Sequence, residues 1–207
     1  MKTYTHTLND FGYLYIENLY TKNELTDIKN EICFLDSVME DKAQQLERRK
    51  HGSIEEDGTY QMTGTGVYVD NMYLNREHSS ILKYNRKIVS SKIINEFTKT
   101  HASSIQYAMC NQDFTVLNKY KKNAEYTPHL DLCSFTAITM LQTNEHKIKG
   151  GDLLFADYEI VFPFSNNSCV IFPSWVKHAC TPVKSKKAIR YSIAQFFHIS
   201  PSVRAEN

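Results

Sequence analysis

From residue 104 onward the chain is a succession of short apolar segments: S-I-Q-Y-A-M-C, F-T-V-L-N-K-Y, S-F-T-A-I-T-M-L-Q-T, D-L-L-F, E-I-V-F-P-F, S-C-V-I-F-P and R-Y-S-I-A-Q-F-F. They recur at intervals of about 8–12 residues, with turn-forming stretches such as N-E-H-K-I-K-G-G between them, which is the spacing of an all-β sandwich or barrel. The last segment alternates cleanly: Ile189, Tyr191 and Ile193 on one side, Arg190, Ser192 and Ala194 on the other. A strand with a guanidinium and a hydroxyl on one face must turn that face toward an anion, because a buried arginine needs a charged partner.

The N-terminal third reads differently. Phe11 to Leu19 is rich in β-formers, and Leu25, Ile28 and Ile32 then recur at helical spacing. Residues 37–50 are expected to form a second, polar helix ending in Arg48, Arg49 and Lys50. Residues 51–66 are glycine-punctuated and read as a loop, residues 67–74 as a strand, and residues 87–97 as a helix lying on a sheet. Residues 1–207 are expected to make one domain, with 1–103 as strand-helix support and substrate loop and 104–200 as the β core. Twelve per cent aromatic residues suit a strand-rich core packed by rings.

Chemistry concentrates in Y-K-K-N-A-E-Y-T-P-H-L-D, residues 120–131. On a strand, His129 and Asp131 face one way and Leu130 the other, so an imidazole and a carboxylate converge on one point. His178, in F-P-S-W-V-K-H-A-C-T-P-V, is the candidate third ligand. Two histidines and one carboxylate on one side of a metal are the facial triad of non-heme Fe(II) oxygenases, with positions left open for co-substrate and dioxygen. The same donors serve catalytic zinc, but the H-E-x-x-H helix of that chemistry is missing from the sequence. His146 and His198 lie in a polar turn and near the chain end and are expected to be bystanders.

With these motifs the chain resembles the Fe(II)- and 2-oxoglutarate-dependent dioxygenases, and most closely their prolyl 4-hydroxylase-like branch. The pattern Y-x-x-G-x-x-Y-x-x-H-x-D is met by Tyr120, Tyr126, His129 and Asp131. G-G-D-L-x-F is met by Gly150 to Phe155, and the final block by His178, Pro182, Val183 and Arg190 to Ser192. Asn123 stands where the family usually has glycine, a change that the left-handed tolerance of asparagine allows. The resemblance implies a mostly β fold, a double-stranded β-helix (jelly roll, cupin-like), with N-terminal helices supporting one sheet. It implies Fe(II) held by His129, Asp131 and His178, 2-oxoglutarate held by Arg190, Ser192 and Tyr120, dioxygen as oxidant, and ascorbate as a supporting reductant. The implied reaction couples decarboxylation of 2-oxoglutarate to succinate and CO2 with C–H hydroxylation. Tyr68, Tyr73, Tyr126 and Trp175 are candidates to contact substrate, and the segment after residue 50 to cover it.

The motif spacing favours a prolyl residue in a protein or peptide as substrate. A nucleic-acid base oxidase is the competing enzyme, resting on Arg48, Arg49, Lys50, Lys121 and Lys122, and a free amino acid is a further substrate class. A formal charge of +1 gives neither nucleic acid nor an anionic membrane a strong overall attraction. A non-enzymatic binding module is the remaining reading, against which the intact triad and Arg190 speak. No apolar run of about 18 residues occurs, so a cytoplasmic protein without a membrane span is expected. The scattered cysteines, Cys33, Cys110, Cys133, Cys169 and Cys180, are odd in number and are read as free thiols that serve packing.

Overall fold

The computed structural model describes residues 1–41 and 61–200. Strands β1 (Lys2–Thr7) and β2 (Gly12–Glu17) form a hairpin, and helix α1 (Lys22–Leu35) follows. Thr21 starts the helix through a capping box. Its hydroxyl accepts from the Glu24 N–H and the Glu24 carboxylate accepts from its own, so two orphan donors are met at once. Ile28, Ile32 and Leu35 form the buried stripe. Two short strands, β3 (Glu40–Asp41) and β4 (Thr65–Tyr68), lie in the N-terminal half, as do helices α2 (Ser80–Tyr84) and α3 (Ser91–Phe97). The remaining strands are β5 (Gln112–Tyr120), β6 (Tyr126–His129), β7 (Phe135–Gln142), β8 (Leu153–Phe155), β9 (Ile160–Phe162), β10 (Ser168–Pro173), β11 (His178–Cys180) and β12 (Arg190–His198).

Among the described residues these strands make an eight-stranded antiparallel sheet, ordered β1-β2-β10-β7-β12-β5-β4-β3, and a four-stranded sheet, ordered β6-β11-β8-β9. The central strands β10, β7 and β12 of the larger sheet are buried on both faces, and the two-residue period assigns each side chain. Leu14, Ile16, Leu117, Leu141, Ile171, Tyr191 and Ile193 pack under the helices with Ile28, Ile32 and Phe97. Tyr13, Ile138, Met140, Val170 and Phe172 face the smaller sheet and pack on Leu153, Phe155 and Phe162. Each fully buried apolar side chain of this size contributes about 1.5–3 kcal/mol. This is a jelly roll with helices on one sheet, as the sequence implied.

One segment joins the two sheets along their open side. The Thr127 N–H donates to the Gln61 carbonyl (2.8 Å), Met62 bridges Tyr126, and the Thr63 N–H donates to the Glu125 carbonyl (3.1 Å). Two residues later Thr65 is paired with Lys119 of β5. The chain therefore passes from the edge of one sheet to the other at Gly64.

Several local expectations are corrected. Residues 104–110 are not a strand but part of a 3-10 helix, Ala102–Met109, capped by His101. Their inward residues are Ser104 and Tyr107, three apart, bonded to Thr100 Oγ1 and to the Ile88 carbonyl, while Ile105 and Met109 are exposed. The expected strand 67–74 stops at Tyr68, because the Asp70 carboxylate takes the Thr115 N–H (2.6 Å) and draws the chain into a 3-10 turn, Val69–Asn71. The expected helix 87–97 is two pieces, a 3-10 turn Asn85–Val89 and α3, divided where Ser90 takes an extended N-cap conformation. Residues 36–41 form a 3-10 turn and an edge strand instead of a helix, since Asp36 is pinned to the sheet by Lys119 and the Tyr191 hydroxyl. The rest of that expected helix, Arg48 to Lys50, and most of the glycine-bearing loop lie outside the described residues.

Candidate metal centre and co-substrate pocket

β5 and β12 are paired so that Tyr120 stands opposite Arg190 and Asn118 opposite Ser192. All four side chains point toward the smaller sheet. From that sheet β6 and β11 answer with His129 and His178, themselves directly opposite one another. The turn between β5 and β6 is made by Asn123 at φ 67°, with its N–H on the Val183 carbonyl (2.7 Å). Asparagine thus does the work of the usual glycine.

Each imidazole is oriented by the backbone carbonyl two residues before it. His129 Nδ1 lies 2.8 Å from the Thr127 carbonyl and His178 Nδ1 3.0 Å from the Val176 carbonyl. A carbonyl only accepts, so Nδ1 carries the proton in both rings and each Nε2 presents a lone pair to the site. Asp131 follows the exposed Leu130, and its carboxylate oxygens lie 3.7 Å from His129 Nε2 and 3.3 Å from His178 Nε2. One donor atom from each of the three residues falls within a 4.8 Å cluster, and among the described residues this is the one such group of histidine, cysteine and acidic side chains.

Burial, reinforced by the neighbouring His178 ring, holds His129 down to about 4, so it is neutral near pH 7. Burial pushes Asp131 up, but the adjoining His178 and His129 rings and the hydroxyl that Thr136 donates outweigh it and leave the carboxyl below its ordinary range. A neutral imidazole and an ionised carboxylate are the forms that bind a cation.

Arg190 is 1% exposed. Its Nε donates to the Gly151 carbonyl (2.8 Å), its guanidinium carbon lies 4.7 Å from the centre of the Tyr120 ring, and its Nη1 is buried with no partner. A buried cationic donor with nothing to bind is costly unless a ligand completes it. Gly150 and Gly151 explain themselves here. Both have φ near 70°, and a Cβ would lie 2.1 Å from the Pro182 carbonyl at the first and 2.9 Å from Arg190 Cδ at the second.

These groups line one cavity of about 160 Å³, with the three candidate ligands, Tyr120, Asn118 and Arg190 in its walls. Ser192, Tyr68 and Tyr126 line it too, and the Tyr126 ring stacks on His129 at 3.6 Å. Burial pushes the Tyr120 phenol far up, so it stays a neutral donor. Two expected substrate contacts are corrected. The Tyr73 hydroxyl bonds Glu31 on the helical side, because the chain leaves the sheet after Tyr68. Trp175 is half exposed, packs edge-on against Phe11 and does not line the cavity. Cys180, read as packing, lines it, and all five cysteines are free. His146 is exposed and His198 sits against Phe114, both away from the site.

Sequence reasoning missed Asn118, whose Oδ1 is buried without a partner, and Thr136, whose hydroxyl donates to Asp131 Oδ2 (2.7 Å). The first had a signal, standing two residues before Tyr120 on the same strand face. The second had none, because only the fold brings residue 136 back to residue 131.

The family model described as the 2OG-Fe(II) oxygenase superfamily matches residues 115–198. The sequence finds no match among the curated proteins. Solved structures share the fold at low identity. A Pseudomonas putida prolyl-4-hydroxylase aligns over 92% of this chain and 94% of its own at 14% identity, with a TM-score of 0.59. A Trichoplax adhaerens prolyl hydroxylase, in complex with a peptide fragment of the hypoxia inducible factor oxygen degradation domain, aligns over 92% and 85% at 13% identity, TM-score 0.62. The viral collagen prolyl hydroxylase of Paramecium Bursaria Chlorella virus-1, in its 2OG complex, aligns over 91% and 96% at 14% identity, TM-score 0.53. Among the described residues no helix is long and apolar enough to cross a membrane.

Proposed function

We propose, from the match of residues 115–198 to the 2OG-Fe(II) oxygenase superfamily model, that the protein hydroxylates a prolyl residue in an extended peptide. Iron(II) is held by His129, Asp131 and His178, and 2-oxoglutarate and dioxygen are consumed, with ascorbate as a supporting reductant. The observation that carries this reading is the pairing, in one cavity, of three converging metal donors with an Arg190 whose Nη1 lacks a partner. That combination suits a small dianion bound by a cation at one end and by a metal at the other.

When bound, the iron supplies the power to take hydrogen from an unactivated C–H bond, at the expense of 2-oxoglutarate going to succinate and CO2. The chain's own residues do the rest. Arg190 pairs with the distal carboxylate through Nη1, and its Nε bond to Gly151 and its stacking on Tyr120 fix the guanidinium plane beforehand. Ser192 and the Tyr120 phenol add donors to the same floor. Asn118 joins them once its carboxamide rotates to put the NH2 group where the unpartnered oxygen now lies, an exchange that costs little because the two ends are nearly isosteric. Ile138, Leu153 and Ala194 complete a largely apolar wall that keeps bulk water from the reacting centre. Tyr68 and Tyr126 offer aromatic faces to a proline ring.

The peptide substrate is supported by the shared fold with prolyl hydroxylases, one of them holding a peptide. Lys121 and Lys122 are exposed beside the β5–β6 turn and are the described residues a nucleic-acid oxidase would use. The test is succinate formation with Fe(II), 2-oxoglutarate and three candidates: proline-containing peptides, free proline and oligonucleotides. Peptide-dependent succinate with a mass gain of one oxygen on proline is the expected result. Turnover with oligonucleotide or free proline alone overturns the substrate assignment.

A further inference from the structure

We infer that Thr136 and Ser174 are positioning residues for the metal-binding carboxylate, acting as a one-way chain of hydroxyl donors that fixes which oxygen of Asp131 is free to meet the ion. The inference rests on the metal reading of His129, Asp131 and His178 and deepens it.

The chain is continuous and buried. Thr136 Oγ1 lies 2.7 Å from Asp131 Oδ2, Ser174 Oγ lies 2.9 Å from Thr136 Oγ1, and Cys133 Sγ lies 2.8 Å from Ser174 Oγ. Thr136 and Ser174 are both 0% exposed. Hydrogen counting fixes the direction of the two links nearest the carboxylate. An ionised carboxylate can only accept, so the single Thr136 hydrogen is spent on Asp131. Ser174 must then donate to Thr136, while the Cys133 thiol, packed against both hydroxyls, has its single hydrogen on the Phe135 carbonyl at 3.3 Å. Both hydroxyl hydrogens point toward Asp131.

The backbone repeats the connection. The Asp131 N–H donates to the Ser174 carbonyl (3.2 Å), and the Ser174 N–H donates to the Ser134 carbonyl (3.2 Å). Ser174 lies between β10 and β11, just before His178. One residue thus holds the segment that carries Asp131 against the β10–β11 connection that leads to His178. Oδ2 takes the Thr136 hydroxyl although it also lies 3.3 Å from His178 Nε2, so Oδ1, 3.7 Å from His129 Nε2, is the oxygen with its lone pairs left for an ion, and Asp131 would hold that ion through one oxygen. Partners of metal ligands act in this way, and losing one weakens metal affinity roughly 10- to 100-fold.

The test is Mn(II) titration of the full chain, wild type against Thr136→Val, Thr136→Ser and Ser174→Ala, read from the paramagnetic signal of unbound Mn(II), with thermal unfolding of the metal-free proteins alongside. Thr136→Val keeps the shape and removes the donor, so Mn(II) affinity should fall about 10- to 100-fold. Thr136→Ser restores the hydroxyl and should return affinity to within about 3-fold of wild type. A second readout, the charge-transfer band of the anaerobic Fe(II) and 2-oxoglutarate complex, should shift in Thr136→Val and not in Thr136→Ser. Should Thr136→Val not fold, Ser174→Ala decides, with a smaller loss in the same direction expected. Wild-type affinity and an unshifted band in every folded variant overturn the positioning role while leaving the metal site standing. A wild type that binds neither Mn(II) nor Fe(II) overturns both.

Discussion

Replacing Arg190 by methionine separates the two ends of the cavity, because the side chain lines the proposed co-substrate floor and touches none of the three candidate metal ligands. In the free protein the guanidinium is fully desolvated, with Nε satisfied by Gly151 and Nη1 by nothing. A dicarboxylate bound there would repair that deficit. Removing one member of such a buried charge pair costs about 3–5 kcal/mol, or roughly two to three and a half orders of magnitude in Kd. The assay is thermal unfolding with saturating Mn(II) and with 2-oxoglutarate at about 100 times its wild-type Kd. There the ligand adds about 2.7 kcal/mol and raises Tm by roughly 5–10 °C. In Arg190→Met the same concentration falls below the new Kd, so the gain shrinks to under about 0.3 kcal/mol and under about 1 °C. 2-Oxobutyrate, which lacks the distal carboxylate, is the control and should shift both proteins equally. An equal 2-oxoglutarate shift in wild type and variant refutes the assignment, and so does a large difference with 2-oxobutyrate.

Three further outcomes follow from the same geometry. His129→Ala and Asp131→Ala should abolish Mn(II) binding by titration yet keep the far-ultraviolet circular dichroism of wild type, since neither side chain belongs to the apolar clusters. His129 has its proton affinity depressed to about 4 in the folded protein, so the unfolded chain protonates first. Metal-free stability should therefore be complete above about pH 6.5 and decline by up to about 3 kcal/mol as pH falls toward 4. Urea titrations across that window should give a shallower decline in His129→Ala, and identical pH profiles would rule out this origin. Asn118→Asp puts a carboxylate beside the expected anion and should raise the 2-oxoglutarate Kd by at least about 10-fold with Mn(II) affinity unchanged, measured by calorimetry.

What the sequence made legible was whatever depends on a period. Alternation along residues 189–194 put Arg190 and Ser192 on the cavity face and Tyr191 and Ile193 under the helices, and both strand faces are used that way. The 3.6-residue spacing of Ile28 and Ile32 gave α1, whereas the H-x-D pair met at one point although β6 ends at His129 and Asp131 lies beyond it, held by its N–H on the Ser174 carbonyl. The failures share a different cause. Residues 67–74 and 104–110 alternate well enough to pass for strands, yet Asp70, Ser104 and Tyr107 find side-chain partners that outbid the ladder. Tyr73 went with the misread strand. Thr136 and Ser174 are ordinary strand and turn residues until the fold sets them beside Asp131, a relation between distant positions that no local pattern encodes.

Gly64 gives the crossing between the sheets a further meaning. Thr63 is tied by hydrogen bonds to Glu125 on one wall and Thr65 is in register with Lys119 on the other, so a single residue bridges the gap, and a Cβ on it would lie 2.5 Å from the Lys119 carbonyl. The separation of the walls beside Tyr120 and Tyr126 is therefore gauged by covalent length and not by how well side chains fill the space. One inserted residue would slacken that gauge by about 3.3 Å, the rise of one extended residue. Core substitutions leave the gauge alone. A lineage seeking room for a longer dicarboxylate would find it sooner by lengthening the chain at this point than by trimming side chains inside the cavity.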